Sequence, residues 1–202
     1  LITEFFPQKN LGEFEIIYEI ISKIDAVDLH LANSMAVRYA NYIGLNSSQQ
    51  VTVYANRGTS GIDGSTSTAV GSSLASGKET ILITGDMAFF YDRNAFWHNY
   101  PLDKLKILVL NNHAGGIFRM INGPANQPEL EEYFETNQRL SAKYLAEEFN
   151  IPFLSLDKRS KKKNLIKEFI NAEGPLIMEF ESESQLNTDI LKAFRSQLNE
   201  MQ

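Results

Sequence analysis

One stretch of the 202-residue chain, residues 81–112 (ILITGDMAFFYDRNAFWHNYPLDKLKILVLNN), constrains the fold more than any other. An apolar run stops at Gly85-Asp86, a polar and aromatic segment of helix length follows, and a second run, Ile107-Leu108-Val109-Leu110, stops at Asn111-Asn112. Two short aliphatic runs joined in this way are the pattern of a parallel βαβ unit. Both strands of such a unit end at the same edge of the sheet, so Asp86 and Asn112 can meet there although 26 positions separate them. Open α/β sheets bind ligands at that edge.

A carboxylate and a carboxamide together offer hard oxygen donors, which suit Mg2+ or Ca2+ better than zinc or copper. One Asp, one Asn and a main-chain carbonyl leave an octahedral Mg2+ with room for diphosphate oxygens and water. Gly85 fits a tight strand-to-loop turn where a backbone approaches a diphosphate closely. Taken singly, Asp86 reads as a cap of the next helix and Asn111-Asn112 as a turn. The pair at two matched strand ends is what favours a site.

Beyond Asn112, the run His113-Ala114-Gly115-Gly116-Ile117-Phe118 carries two adjacent glycines. They permit an irregular backbone that turns the Ala114 carbonyl toward an ion, with Ile117 and Phe118 either at the rim of a site or packed in the core. His113 reads as a general acid or base, or simply as a polar loop residue.

The remaining chain alternates between the two periodicities. Residues 11–24 space Leu11, Phe14, Ile17, Ile20, Ile21 and Ile24 as a helix, leaving Glu13, Glu15, Glu19 and Lys23 on wetter faces. A strand over 27–31 ends at Asn33-Ser34, an N-cap pair for a helix over 35–43 that stops at Gly44. Ser34 then stands at the helix N-terminus and Arg38 one turn inside. A strand over 51–55 runs into the loop 56–68, with Gly58, Gly61 and Gly64 among Ser and Thr, and then into a helix over 66–77. Arg57, at that strand's end, is suited to clamping a carboxylate with both arms of its guanidinium. Residues 122–136 read as an acidic surface loop or short helix, 141–149, 162–172 and 188–198 as helices, and 152–156 and 175–180 as strands. This βα alternation argues for a doubly wound α/β fold: a mostly parallel sheet with helices on both faces.

Charge and composition close off several functions. A net charge of −6 argues against nucleic-acid binding as the main activity, and the basic run from Lys158 to Lys163 reads as a solvated surface. Zero cysteines exclude disulfides, a thiol nucleophile and thiolate metal sites, and fit a reducing, cytoplasmic setting. No apolar run approaches the roughly 20 residues of a membrane span, so no stable membrane insertion is expected. The opening, LITEFFP, is neither a signal peptide nor an initiating Met, and the chain is expected to be part of a longer polypeptide.

Gly85-Asp86 followed by Asn111-Asn112 is similar to the metal and diphosphate motif of thiamine-diphosphate-dependent enzymes. The combination of the run NRGTSGIDG at 56–64, Tyr91-Asp92-Arg93-Asn94-Ala95 and Gly115-Gly116-Ile117-Phe118 resembles, more narrowly, the members of that family that serve menaquinone biosynthesis. The likeness runs over residues 33–118. Met87 departs from it, since the family usually has a small residue after Gly-Asp.

The resemblance implies a thiamine-diphosphate-binding fold, with 26–202 as the diphosphate-binding domain and 1–25 as a linker and helix leading from an upstream region. It implies Asp86, Asn112 and the Ala114 carbonyl as ligands of Mg2+ or Mn2+. Gly85, Met87, Ala88 and Ile117 would lie along the cofactor, and Ile62 would wedge between its two rings. Ser34, Arg38 and Arg57 would hold substrate carboxylates, with Ile117 and Phe118 lining the substrate pocket. The reaction implied is decarboxylation of 2-oxoglutarate and addition of the resulting succinic-semialdehyde carbanion to isochorismate. The glutamate that activates the cofactor belongs to a pyrimidine-binding domain, in the full-length chain or its dimer mate. No catalytic residue is therefore expected here, the chain alone is expected to be inactive, and a homodimer or homotetramer is expected.

Two alternatives stand beside this. Another 2-oxo acid decarboxylase, or an acetohydroxyacid-synthase-like enzyme, shares the cofactor motif but does not need the Arg38 and Arg57 pair. A non-catalytic nucleotide-binding module needs a G-x-G-x-x-G turn, and the spacing of Gly58, Gly61 and Gly64 is wider.

Overall fold

The computed structural model describes residues 2–6, 12–157 and 162–200. Helix α1 (Ile2–Phe5) and α2 (Glu13–Ile21) lead into β1 (Asp28–Leu31), α3 (Met35–Ile43), β2 (Thr52–Ala55), α4 (Ser65–Ser76), β3 (Thr80–Gly85) and α5 (Asp86–Tyr91). Then follow β4 (Leu105–Asn111), α6 (Ala142–Glu148), β5 (Phe153–Leu156), α7 (Lys162–Asn171), β6 (Leu176–Glu181) and α8 (Ser184–Glu200). The strands form one parallel sheet in the order β2-β1-β3-β4-β6-β5.

The central strands have the sequence their position demands. Every residue of β4 is buried, and so is every residue of β3 before Gly85, because helices cover both faces. On one face Leu29, Ile81, Ile83, Leu108 and Met178 pack with α2, α3, α7 and α8. On the other, Leu82, Ile107, Val109 and Ile177 pack with α4, α5 and α6. The doubly wound parallel fold expected from the alternation is what the chain adopts.

Strand order places the site. From β1 the chain steps outward to β2, and from β2 it returns across β1 to β3, so the direction of winding reverses between β1 and β3. That reversal opens a crevice beyond the carboxyl ends of these two strands. In the register of β3 with β4, Gly85 lies beside Leu110, which brings Asp86 and Asn111-Asn112 to the same level of that edge.

Several local expectations are revised. Leu11 and residues 158–161 of the basic run lie outside the described residues; Lys162 and Lys163 open α7, with Lys163 exposed and Lys162 paired with Glu15 rather than solvated. Glu13 and Glu15 are not on wet faces: they are 1% and 9% exposed. Glu15 pairs with Lys162, and Glu13 has polar partners of its own. The expected helix between β3 and β4 breaks into α5 and a 3-10 turn over Arg93–Phe96. The break comes at Asp92, whose carboxylate accepts from the Ser67 N–H (2.7 Å) and the Ser67 hydroxyl (2.6 Å), capping the start of α4. Residues 122–136 keep the expected loop with short helical turns, over Pro124–Asn126 and Leu130–Phe134, whereas α8 begins four residues earlier than its apolar spacing suggests. Among the described residues no helix is long and apolar enough to cross a membrane.

Candidate cofactor and metal site

A cavity of about 540 Å³ occupies the crevice. All twelve residues singled out in the sequence line it: Ser34, Arg38, Arg57, Ile62, Gly85, Asp86, Met87, Ala88, Asn112, Ala114, Ile117 and Phe118. They come from four strand ends and the turns behind them, which is how a parallel sheet gathers distant residues at one edge.

At the floor, Asp86 is 2% exposed. Burial raises its pKa to about 7, against the lowering effect of hydrogen bonds from Gln138 and from the Met87 N–H; nearby Glu13 raises it further and His113 lowers it. Water no longer stabilises this carboxylate, and only neutral donors hold it, so a cation is the partner its charge lacks. Among the described residues no three His, Cys, Asp or Glu side chains cluster as a metal site. A set of one carboxylate, one amide and one main-chain carbonyl forms no such cluster, and its hard oxygens fit Mg2+ or Mn2+.

Behind Asp86 the polar wiring is dense. Gln138 Nε2 donates to Asp86 Oδ2 (2.8 Å) and to Asn111 Oδ1 (3.1 Å). Asn111 Nδ2 donates to Glu179 Oε1 (2.8 Å), a carboxylate that also accepts from the Ser141 hydroxyl and the Ala142 N–H. Asn112 Nδ2 donates to Glu13 Oε1 (2.8 Å), while Asn112 Oδ1 accepts from the Ala114 N–H (3.1 Å). The two asparagines therefore play different parts: Asn111 is held away in the core, and Asn112 lines the cavity.

The glycines act differently from the expectation. Gly85 is extended (φ −80°, ψ 160°) and makes no tight turn. A left-handed residue does occur in the loop after β4, but it is His113 (φ 59°). Gly116 serves close approach: a Cβ there would lie 2.9 Å from Ser184 Oγ and 3.1 Å from Asn112 Nδ2. Ile117 meets both of its readings, packing against the core while lining the cavity. The Phe118 ring leans on Phe134, 5.7 Å between centroids. Phe134, Ile121 and Thr136 extend the wall, and Arg119 ties that segment down through Glu135 (3.0 and 2.6 Å) and Glu131 (3.1 Å).

The opposite wall is cationic. Arg38 Nη1 donates to the Ser34 carbonyl (2.6 Å), and Arg57 Nη1 donates to Asn33 Oδ1 (2.6 Å). Burial, then the charges of Arg57 and Arg195, lower the pKa of Arg38, a cost that a bound anion would relieve. Ser34 is the N-cap residue of α3 but its side chain makes no capping bond, because its φ of 74° takes it out of the extended conformation such a cap uses. Asn33, expected to share that cap, instead bridges Arg57 and the Ser60 carbonyl. Ile62 is 39% exposed, an apolar side chain presented to the cavity.

Sequence reasoning missed Gln138 and mistook Glu13 for a solvated residue. Both act across long separations, and neither sits in a local pattern that marks it.

Comparison with known proteins agrees with this geometry. Residues 33–180 match the family described as thiamine pyrophosphate enzyme, C-terminal TPP binding domain, and the chain belongs to that family. Its relatives are more particular. It is 45% identical over 202 residues to the 2-succinyl-5-enolpyruvyl-6-hydroxy-3-cyclohexene-1-carboxylate synthase of Cytophaga hutchinsonii, covering 98% of this chain and 36% of that protein. Proteins of the same name from Flavobacterium psychrophilum (44% identical, 92% of this chain, 33% of that protein) and Bacteroides fragilis (37%, 95% and 35%) are similar to it as well. The chain thus spans about a third of the length of these relatives.

Proposed function

We propose that this chain is the diphosphate-binding part of a thiamine-diphosphate- and Mg2+-dependent synthase that decarboxylates 2-oxoglutarate and joins the remainder to isochorismate, in menaquinone biosynthesis. The observation that carries the reading is one cavity with a buried carboxylate, an amide and a main-chain turn on its floor and two arginines on its wall. Asp86, Asn112 and the Ala114 carbonyl would hold Mg2+ or Mn2+, with diphosphate oxygens completing the shell. Bound thiamine diphosphate supplies a carbon centre able to take up the electron pair left when CO2 departs.

The chain's own residues position and sort. Ile62, Gly85, Met87, Ala88 and Ile117 line the cavity and would hold the cofactor there. Arg38, Arg57 and Ser34 grip carboxylates, and Ile117 with Phe118 keeps water from the reacting carbons. The arginine pair favours a dicarboxylate over the simple 2-oxo acids of other thiamine-diphosphate decarboxylases. The remaining parts of the proposal are a pyrimidine-binding domain from the full-length polypeptide or its mate, a homo-oligomer and a cytoplasmic location. The chain alone is then inactive, and turnover of 2-oxoglutarate by it would overturn that part.

Calorimetry of the full-length protein tests the cofactor. Thiamine diphosphate with Mg2+ is expected to bind and NAD to give no heat; the reverse would refute the reading. Replacing Arg57 with Ala tests the substrate, since the apparent affinity for 2-oxoglutarate should fall about tenfold or more with the loss of a charged hydrogen-bonded contact of about 1.5–3 kcal/mol.

A further inference from the structure

The proposed chemistry leaves one buried carboxylate beside the metal position without a role. Glu13, in the first turn of α2, lines the cavity and is 1% exposed. Its Oε1 accepts from Asn112 Nδ2 (2.8 Å) and from the Ser182 hydroxyl (2.9 Å). Its own N–H donates to Asn187 Oδ1 (3.0 Å), and Asn187 Nδ2 donates to Ser182 Oγ (3.0 Å), so a closed ring of side chains fixes the carboxylate. Gly12 allows this approach, because a Cβ there would come within 2.5 Å of Ile190 Cδ1.

Burying a carboxylate in this way is costly, and a helix built only for packing would carry an apolar residue at that position. What a carboxylate does here that an apolar residue cannot is choose between the two ends of an amide. Glu13 Oε1 already accepts from the Ser182 hydroxyl, whose own oxygen takes Asn187 Nδ2, so it meets Asn112 as an acceptor, takes the NH2 end and leaves the oxygen on the other side. The Ala114 N–H, a donor on that other side, agrees with this orientation.

We infer that Glu13 is a positioning residue: it holds the Asn112 carboxamide so that its oxygen, and not its NH2 group, is presented to the divalent cation. The inference rests on the metal reading proposed above. Groups that orient metal ligands from behind change metal affinity by about 10–100-fold when removed. Gln138 donates to Asp86 Oδ2, so each of the two side-chain donors has a hydrogen-bonded neighbour behind it.

Two substitutions in the full-length protein separate orientation from simple attraction between charges. Glu13→Gln removes the charge but keeps an oxygen that can accept from Asn112. Glu13→Asp keeps the charge but draws the acceptor back by one methylene. Mn2+ binding is read by electron paramagnetic resonance at saturating thiamine diphosphate, with circular dichroism and metal-free melting as checks on folding. The expected result is that E13Q stays within about threefold of the parent while E13D weakens Mn2+ binding about 10–100-fold. A loss in E13Q of tenfold or more overturns the inference even if E13D does not fold, and so does unchanged binding in E13D. If the parent protein takes up no Mn2+ with thiamine diphosphate, the metal reading itself falls, and the inference falls with it.

Discussion

Asp86→Asn should make the metal-free protein more stable at neutral pH while abolishing its divalent-ion binding. The pKa of Asp86 lies near 7 in the fold against 3.8 for the ordinary carboxyl, a rise of about 3 units caused first by burial. A raised carboxyl means that the folded state holds more protons than the unfolded state between these two values. Stability therefore falls as pH rises from about 4 to 7, and the full cost, about 4 kcal/mol at 1.36 kcal/mol per unit, is present above pH 7. Asparagine carries no charge and escapes that cost, but one amide oxygen must serve both Gln138 and the Met87 N–H, at a loss of about 1 kcal/mol. The net gain expected at pH 8 is about 3 kcal/mol. Urea unfolding in EDTA at pH 5 and pH 8, parent against variant, reads it directly. The advantage of D86N should grow by about 3 kcal/mol across that interval. A difference that stays flat with pH, or a variant less stable than the parent at pH 8, would refute the electrostatic account of this carboxylate.

Two further outcomes follow from contacts already described. Gly116→Ala drives a methyl group against Ser184 Oγ and Asn112 Nδ2, so it should weaken Mn2+ uptake measured by calorimetry and cost about 1–3 kcal/mol in urea unfolding. Arg119→Ala leaves Glu135, which is 1% exposed, without its bidentate partner; the loss should be about 3–5 kcal/mol, read by urea unfolding at pH 7.5.

Much of this fold is legible in the residues because the central strands are buried on both sides. Leu-Ile-Val runs such as 107–110 have one plausible fate, and Gly-Asp or Asn-Asn at their ends marks where they stop. The positions lining the cavity were legible for the same reason: parallel strands align their ends, so residues read at strand ends arrive together. Glu13 was not legible. Its place in a helical pattern looks like a wet face, and its partners Asn112, Ser182 and Asn187 lie far along the chain. Asn33 shows the same failure on a smaller scale. A local rule made it a cap, while a guanidinium 24 residues away competed for its oxygen and won. The helix expected after Asp86 was broken by a capture of the same sort, the hold of Asp92 on Ser67.

The closed ring of Glu13, Ser182 and Asn187 has a bearing on where this domain begins and ends. All three residues fall outside the 33–180 stretch by which the family is recognised. A polypeptide trimmed to that stretch would retain Asp86, Asn112 and Ala114 yet lose the hydrogen-bonded neighbours proposed to aim one of them. The proposed brace therefore needs a piece reaching from the first turn of α2 to the first turn of α8, two segments far apart in the chain that the fold joins beside the cavity.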